Sequence, residues 1–343
     1  MNMTSKQRVL SAIRHETPDR APRFFWVGDG AAKRLQQAYG IAPDQVDAFL
    51  GNDVRQTWLS INRQMTVPCD DGRSFVDEWR ITWRRDGQYN TVSHHPLADL
   101  DADAVAAHPL PDPDNPARYA QLRRLIAEHG QTHFIGADVS GTLFEPACHL
   151  RSMEELMIDL ASDNDQANLL LDRLCEFSSA VAVRASDMGA DWVWLGDDMG
   201  SQRDMLISPA MWRRHFKPRM AKVIAAARSK RPDLPIAYHS CGHIAPILAE
   251  LVDLGIDVLN PLQESAGLSH EAAKREFGGR VTLMCGLDTQ DFLPRATPEQ
   301  TLAAMKEKAR TLGEGGGYIA AVSHTLQHDV DPACIKALTD ALA

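Results

Sequence analysis

Hydrophobic positions along the chain change period repeatedly, and the changes divide it into short extended stretches and longer helical ones. Val9, Leu10 and Ile13 recur at helical spacing over 4–14, and Pro18 and Pro22 end that pattern. Arg23-Phe24-Phe25-Trp26-Val27 then reads as a first strand stopped by Gly28, followed by helices over 31–39 and 43–50 and a second strand over 53–59. From 65 to 95 the helical period disappears. Alternating residues over 75–79, 80–84 and 89–93, with Asp86-Gly87 before the last, predict a small antiparallel insertion containing a hairpin. The proline- and aspartate-rich stretch 96–116 reads as a surface connection or a short helix flanked by loops.

From 117 onward strands and helices alternate strictly. Helices are predicted over 117–129, over 153–188 with a break at Ser162-Asp163-Asn164-Asp165, and over 209–229, 269–277, 298–312 and 332–342. Between them lie short apolar runs at 133–137, 192–195, 236–239, 257–261, 281–286 and 317–322. Strands starting near 23, 53, 133, 191, 235, 257, 281 and 317, each followed by helix, predict an α/β fold of the closed (β/α)8 TIM-barrel type. The expected organisation is one domain over 1–343 with an insertion at about 62–116.

Composition narrows the function. The chain has 343 residues, 44% hydrophobic and 24% charged, within the globular range. It contains no apolar run of 18 residues, and Met1 to Arg8 is polar, so a cytoplasmic location is expected. A net charge of −10 argues against nucleic acid or an anionic membrane as partner. The six cysteines at 69, 148, 175, 241, 285 and 334 are scattered without a C-x-x-C pair, which suits reduced thiols.

The candidate chemistry centres on Ile236-Ala237-Tyr238-His239-Ser240-Cys241-Gly242-His243, a strand and turn followed by apolar residues at helical spacing up to Gly255. In an extended segment the side-chain period is 2, so His239 and Cys241 share a face and offer zinc an imidazole and a thiolate. The spacing alone also suits core packing, because Cys is among the most buried residue types. In a barrel the strand C-termini gather on one face, where Gly28-Asp29, Asp138, Asp197-Asp198, Asn260, Gln263, Cys285, Asp288 and Ser323-His324 would join the pair. Each also has a plainer reading: a helix cap for Asp197 or Asp198, a turn residue for Asn260 before Pro261, a loop histidine for His324.

Tyr238 to His243, Asp257-Val-Leu-Asn-Pro-Leu-Gln263, Gly286-Leu-Asp-Thr-Gln290, Gly315-Gly-Gly-Tyr-Ile319 and Ser323-His-Thr-Leu-Gln327 together resemble the uroporphyrinogen decarboxylase superfamily. Gly196-Asp-Asp-Met-Gly-Ser-Gln202 and the opening Lys6-x-Arg8…Pro18-Asp19-Arg20-x-Pro22 add to the likeness, which is weakest over 60–130. The resemblance implies a (β/α)8 barrel. True decarboxylases of this kind carry an arginine-rich stretch for the substrate's carboxylates, whereas the equivalent here is Arg23-Phe-Phe-Trp-Val-Gly-Asp-Gly30. The H-x-C-G element instead resembles zinc-dependent methyltransferases that exchange methyl groups with a corrinoid protein or a thiol.

That resemblance makes His239 and Cys241 zinc ligands. Ser323 stands where such enzymes usually place a further Cys, so Cys285 and His324 compete equally as third ligand. Asp197, Asp198, Asn260 and Asp288 are the expected catalytic residues, and Trp26, Phe25, Gln202 and Gln263 the expected substrate-binding ones. The expected function is transfer of a methyl group from a small ether, amine or thioether. The expected cofactors are Zn2+ and a corrinoid on a partner protein, and a second copy of the chain is the expected assembly partner. A decarboxylase and a non-catalytic binding barrel are the alternatives.

Overall fold

The computed structural model describes residues 3–61, 65–87, 89–99 and 101–343. Its strands in chain order are β1 (Val54–Trp58), β2 (Val67–Pro68), β3 (Ser74–Val76), β4 (Thr82–Asp86), β5 (Tyr89–His94), β6 (Phe134–Asp138), β7 (Trp192–Gly196), β8 (Ile236–His239), β9 (Val258–Asn260), β10 (Thr282–Leu287) and β11 (Tyr318–Val322). They form a seven-stranded parallel sheet in the order β1-β6-β7-β8-β9-β10-β11 and a four-stranded antiparallel sheet, β2-β3-β4-β5. In the large sheet each strand pairs with its sequence neighbour through an intervening helix, as expected for repeated βα units.

The eighth parallel strand expected at 23–27 is not a ladder strand. Arg23 bridges Ala320 and Val27 bridges Leu326, each as an isolated pair. Between them the Asn52 carboxamide takes both backbone groups of Phe25, accepting its N–H at 2.9 Å and donating to its carbonyl at 3.0 Å. A side chain thus does what a neighbouring strand would do, and the sheet curls without a continuous eighth rung. The insertion is found where alternation predicts it: β4 and β5 pair from Thr82 to His94 around the Asp86-Gly87 turn. Its predicted opening residues 62–64 lie outside the described residues.

Alternation along the parallel strands sorts their side chains into two layers. Val54, Phe134, Trp192, Trp194, Ala237, Val258, Met284, Ile319 and Ala321 form the core enclosed by the curl, which Val9 and Ala12 of the first helix close from one end. Their neighbours Leu195, Tyr238, Leu259, Leu283, Cys285, Tyr318 and Ala320 face the helices in a larger outer core. The first helix, Ser5–Ile13, is held by a capping box at Thr4. It sits at the N-terminal ends of the strands, where the Ala12 carbonyl accepts from Gly317 N–H and Thr282 Oγ1.

At that end the Asp53 carboxylate is fully buried and binds Arg8 Nη1 at 2.7 Å, Arg20 Nη1 at 2.8 Å and the Arg23 backbone N–H at 2.9 Å. This explains the Lys6-x-Arg8…Asp19-Arg20 pattern structurally: it locks the N-terminal segment to β1, far from the strand ends that carry chemistry. Asp53→Asn removes the buried anion shared by Arg8 and Arg20, although Arg8 keeps Asp19 at 2.6 Å. Denaturant unfolding should then show a loss of about 3–5 kcal/mol, as for other broken buried pairs. An unchanged midpoint would mean that the arginines have other adequate acceptors.

Candidate metal centre

β8 ends at His239, level with Gly196 at the end of β7 and Asn260 at the end of β9. His239 follows Ala237 in the inner set, so its ring projects into the C-terminal mouth of the curl, with Trp194 and Trp26 at 6.2 and 6.0 Å between ring centroids. Gly196 makes room for it, since a Cβ there would lie 2.3 Å from the His239 carbonyl oxygen and 2.9 Å from its Cβ. Cys241 lies beyond the strand, with its Sγ 3.4 Å from His239 Nε2. His324 follows β11 and brings its ring to 6.1 Å from that of His239.

Among the described residues, the donor atoms of His239, Cys241 and His324 all lie within 4.8 Å of one another. A nitrogen and a sulfur on one tetrahedral zinc sit about 3.5 Å apart, given bonds of about 2.05 and 2.3 Å. The His239–Cys241 separation therefore fits such an ion. The second ring nitrogen of His239, Nδ1, is 2.6 Å from Asn260 Oδ1, and Asn260 Nδ2 donates to the Met284 carbonyl at 2.8 Å. This anchored carboxamide fixes the tautomer that leaves Nε2 as a donor atom for a metal.

His324, and not Cys285, is the residue that lies beside the His239–Cys241 pair. Cys285 alternates with Met284, so its side chain lies in the outer core, 0% exposed. Burial there pushes its thiol pKa up, away from thiolate. Ser323, beside His324, is buried too, and its hydroxyl accepts the Thr289 N–H at 2.9 Å.

The acidic residues divide by environment. Asp197 is fully buried and its carboxylate accepts from the N–H groups of Leu143 at 3.0 Å and Glu145 at 3.1 Å, so it caps the helix Phe144–Arg151. Burial, with Glu145 nearby, raises its pKa well above the carboxylate range. Asp198 instead faces the pair: it accepts the Cys241 N–H at 2.8 Å and lies 3.5 Å from His239 Nε2. Burial works against its charge, but these contacts outweigh it and hold its pKa low. Burial also keeps the Cys241 thiol above its usual pKa despite the opposing effect of His239.

Asp288 does not reach the cluster. Its Oδ2 accepts the N–H groups of Gln290, Asp291 and Phe292, which makes it a turn anchor. Gln263 is buried and ties the loops that carry Cys241 and His324 together, accepting the Gly242 N–H at 2.7 Å and donating to the Ser323 carbonyl at 3.5 Å. Trp26 lies beside His239, whereas Phe25 points into the outer core and Gln202 is exposed in the loop after β7.

Glu145 is the residue that the sequence pattern did not single out. It stands half-buried in the first turn of the helix after β6, with its pKa raised to about 7 by burial and by Asp198. The available signal was Pro146, which stands in the first turn of that helix. Beside it a small cleft lies between the ends of β1 and β6 and the antiparallel insertion, lined by Trp58, Trp79, Trp83, Ile61, Ile81 and Asp77 among others.

The fold is thus an α/β one, a curled parallel sheet that gathers a His–Cys–His cluster at its strand ends. Residues 86–343 match the family description "Uroporphyrinogen decarboxylase (URO-D)", and the chain belongs to that family. It is 27% identical over 179 residues to the uroporphyrinogen decarboxylase of Chlorobium limicola (strain DSM 245 / NBRC 103803 / 6330), a match covering 51% of this chain and 48% of that protein. The matched stretch thus spans about half the length of that relative. The uroporphyrinogen decarboxylase of Thioalkalivibrio sulfidiphilus (strain HL-EbGR7) matches at 25% identity over 360 residues, 99% of this chain and 98% of its own. Among solved structures, a methyltransferase from Methanosarcina mazei superimposes with a TM-score of 0.74 at 19% identity, covering 99% of this chain and 98% of that one. A B12-independent methionine synthase from Shewanella sp. W3-18-1 in complex with selenomethionine gives 0.51 at 10% identity, over 94% and 95%. These likenesses establish a shared fold.

Proposed function

We propose that the chain is a zinc-dependent methyltransferase, moving a methyl group from a small methylated donor to a thiol or to a corrinoid protein. The observation that carries this reading is the convergence of His239, Cys241 and His324 at the strand C-termini. These three residues would hold the ion, and Asn260 would orient His239. When bound, zinc would supply Lewis acidity toward a donor heteroatom or lower the pKa of an acceptor thiol. Asp198, held ionised beside His239, adds a negative charge that favours a cation at the cluster. Trp26 and Trp194 give the mouth an apolar wall that keeps water from the reacting groups. We place this activity in a single cytoplasmic domain.

Decarboxylation is the second reading, because the curated relatives are named for it. A polyanionic substrate needs cations. Arg23, the arginine of the N-terminal stretch, is committed elsewhere, donating to the Gly51 carbonyl at 2.9 Å and to the Thr339 carbonyl at 2.6 Å. The two readings separate in one assay. Zinc-loaded protein should methylate free cob(I)alamin or a small thiol from a panel of methylated amines, ethers and thioethers. It should release no carbon dioxide from uroporphyrinogen. Carbon dioxide release without methyl transfer would overturn the proposal.

A further inference from the structure

The three residues of the cluster stand near the ends of separate strands or in the loops beyond, yet one stretch of chain reaches all of them. Residues 260–266, which follow from the end of β9, do so. Asn260 holds the His239 ring at Nδ1, 2.6 Å away. Gln263 accepts the N–H of Gly242, next to Cys241, at 2.7 Å and donates to the carbonyl of Ser323, next to His324, at 3.5 Å. The Ala266 carbonyl lies 2.8 Å from Nδ1 of His243, on the other side of Gly242. A shift of this stretch would therefore move the three donors relative to one another.

The stretch leaves the ladder at its start, so its middle needs another anchor. β9 ends at Asn260, and Leu262 holds φ at +54°, a left-handed conformation uncommon for a residue with a side chain of that size. The Leu262 carbonyl accepts a hydrogen bond of 2.6 Å from Nε2 of His270, the first residue of the helix His270–Phe277. A carbonyl cannot donate, so the proton sits on Nε2. The ring is buried, and its other nitrogen, Nδ1, makes no hydrogen bond and lies 3.6 Å from Glu264 Oε2. Burying an unpartnered nitrogen is unfavourable, and an apolar side chain would fill the space without that cost. Nor does the ring cap its helix, because Ser269 Oγ already accepts the Ala272 N–H at 3.2 Å. What a histidine adds here is the bond to Leu262.

We infer that His270 is a positioning residue of the candidate metal centre, fixing through the Leu262 carbonyl the stretch that sets His239, Cys241 and His324 against one another. It supplies no donor atom of the cluster and acts through Asn260 and Gln263, which lie on either side of Leu262. Lys308 steadies the neighbouring turn by the Glu264 carboxylate at 2.8 Å, but the Leu262 carbonyl is held by His270. The inference rests on the proposed metal site for its purpose and on the hydrogen bonds for its geometry.

Amide hydrogen exchange on the whole chain, followed at single residues, tests this without turnover. His270→Leu keeps a side chain of similar bulk and leaves a buried carbonyl unpaired, so the Gly242 N–H should exchange at least about fivefold faster. The reference is the Gly317 N–H, which bonds the Ala12 carbonyl at 3.0 Å at the opposite end of the strands and should not change. His270→Gln, whose amide can place a donor where Nε2 stood, should restore most of the protection. Zinc affinity should fall about tenfold in His270→Leu, the low end of the about 10–100-fold expected of residues that orient ligands, and recover in His270→Gln. Equal acceleration at Gly242 and Gly317 would mean general loosening and would overturn the inference. So would an unchanged Gly242, a Gln variant as impaired as the Leu one, or wild-type zinc affinity in His270→Leu. Wild-type protein that binds no zinc would sink the functional proposal, and Gly242 exchange would still decide this one.

Discussion

Protein carrying His239→Ala, Cys241→Ala or His324→Ala should purify with little zinc, where the unaltered chain carries close to one ion. Each substitution removes one of the three protein donors that converge within 4.8 Å. Residues that only orient a ligand are worth about 10–100-fold in metal affinity, so loss of a ligand itself should cost more than about 100-fold. Asn260→Ala supplies the intermediate case. It leaves all three donors but removes the acceptor 2.6 Å from His239 Nδ1, and should fall within that 10–100-fold range.

Cys285→Ala is the control that separates a ligand from a buried thiol. Its side chain lies in the outer core, so zinc content should be unchanged while stability drops slightly for the lost packing. Metal analysis and competition with a chromophoric chelator read all five variants. Zinc retained equally by the three alanine variants of the cluster would eliminate the site. Zinc lost in Cys285→Ala would mean that the strand turns its other face to the mouth.

Much of this architecture was legible in the chain because its cause is local. Period-2 and period-3.6 stretches report directly which backbone geometry buries apolar surface, and the strands from 134 onward fall where those periods change. The nearness of His239 and Cys241 was expected from a strand period of 2, but β8 ends at His239, and it is the loop beyond, tied by Asp198 to the Cys241 N–H, that sets the thiol 3.4 Å from the ring. The assignments that failed depend on facts not local to their segment. Phe25 belongs to a run of strand-like residues, yet Asn52, distant in sequence, supplies its hydrogen bonds. Cys285 and His324 were indistinguishable as types; a register of one residue along β10 decides that Met284, not Cys285, faces inward.

Asp197, Asp288 and Gln263 looked like chemistry because strand ends collect polar residues. The same strand ends also leave backbone N–H groups that need acceptors, and these three side chains answer that need. The tryptophan cleft was hidden for another reason. Its walls come from β1, from the insertion and from the helix after β6, and no single window of sequence contains them.

The second large effect is expected from residues that bear no ligand atom. Cys241 sits in a loop that crosses the loop following β7 backbone on backbone, and the crossing depends on Gly242 and Gly200. A Cβ on Gly242 would lie 2.2 Å from both the carbonyl carbon and the oxygen of Gly200, and one on Gly200 would lie 2.5 Å from the His243 nitrogen. Real Cβ contacts do not approach so closely, and the obstructing atoms are main chain, so no side-chain rotation relieves them. Gly242 also holds φ at +78°, a left-handed conformation that costs other residues about 1–2 kcal/mol. The crossing is tied on both sides: His243 N–H donates to the Ser201 carbonyl at 2.7 Å, Met199 N–H to Ser240 Oγ at 3.0 Å and Cys241 N–H to Asp198 at 2.8 Å. The loops cannot part without releasing the thiol from its place beside His239. Gly242→Ala should therefore lose about 2–5 kcal/mol of stability, from the backbone conformation together with overpacking, and most of its zinc. Gly200→Ala, without the conformational cost, should lose less stability but as much zinc. Gly279→Ala, where a Cβ meets nothing within 4 Å, should change neither. Thermal unfolding and metal content measured on the same preparations decide the matter, and full zinc occupancy in Gly242→Ala would show that the crossing does not position Cys241.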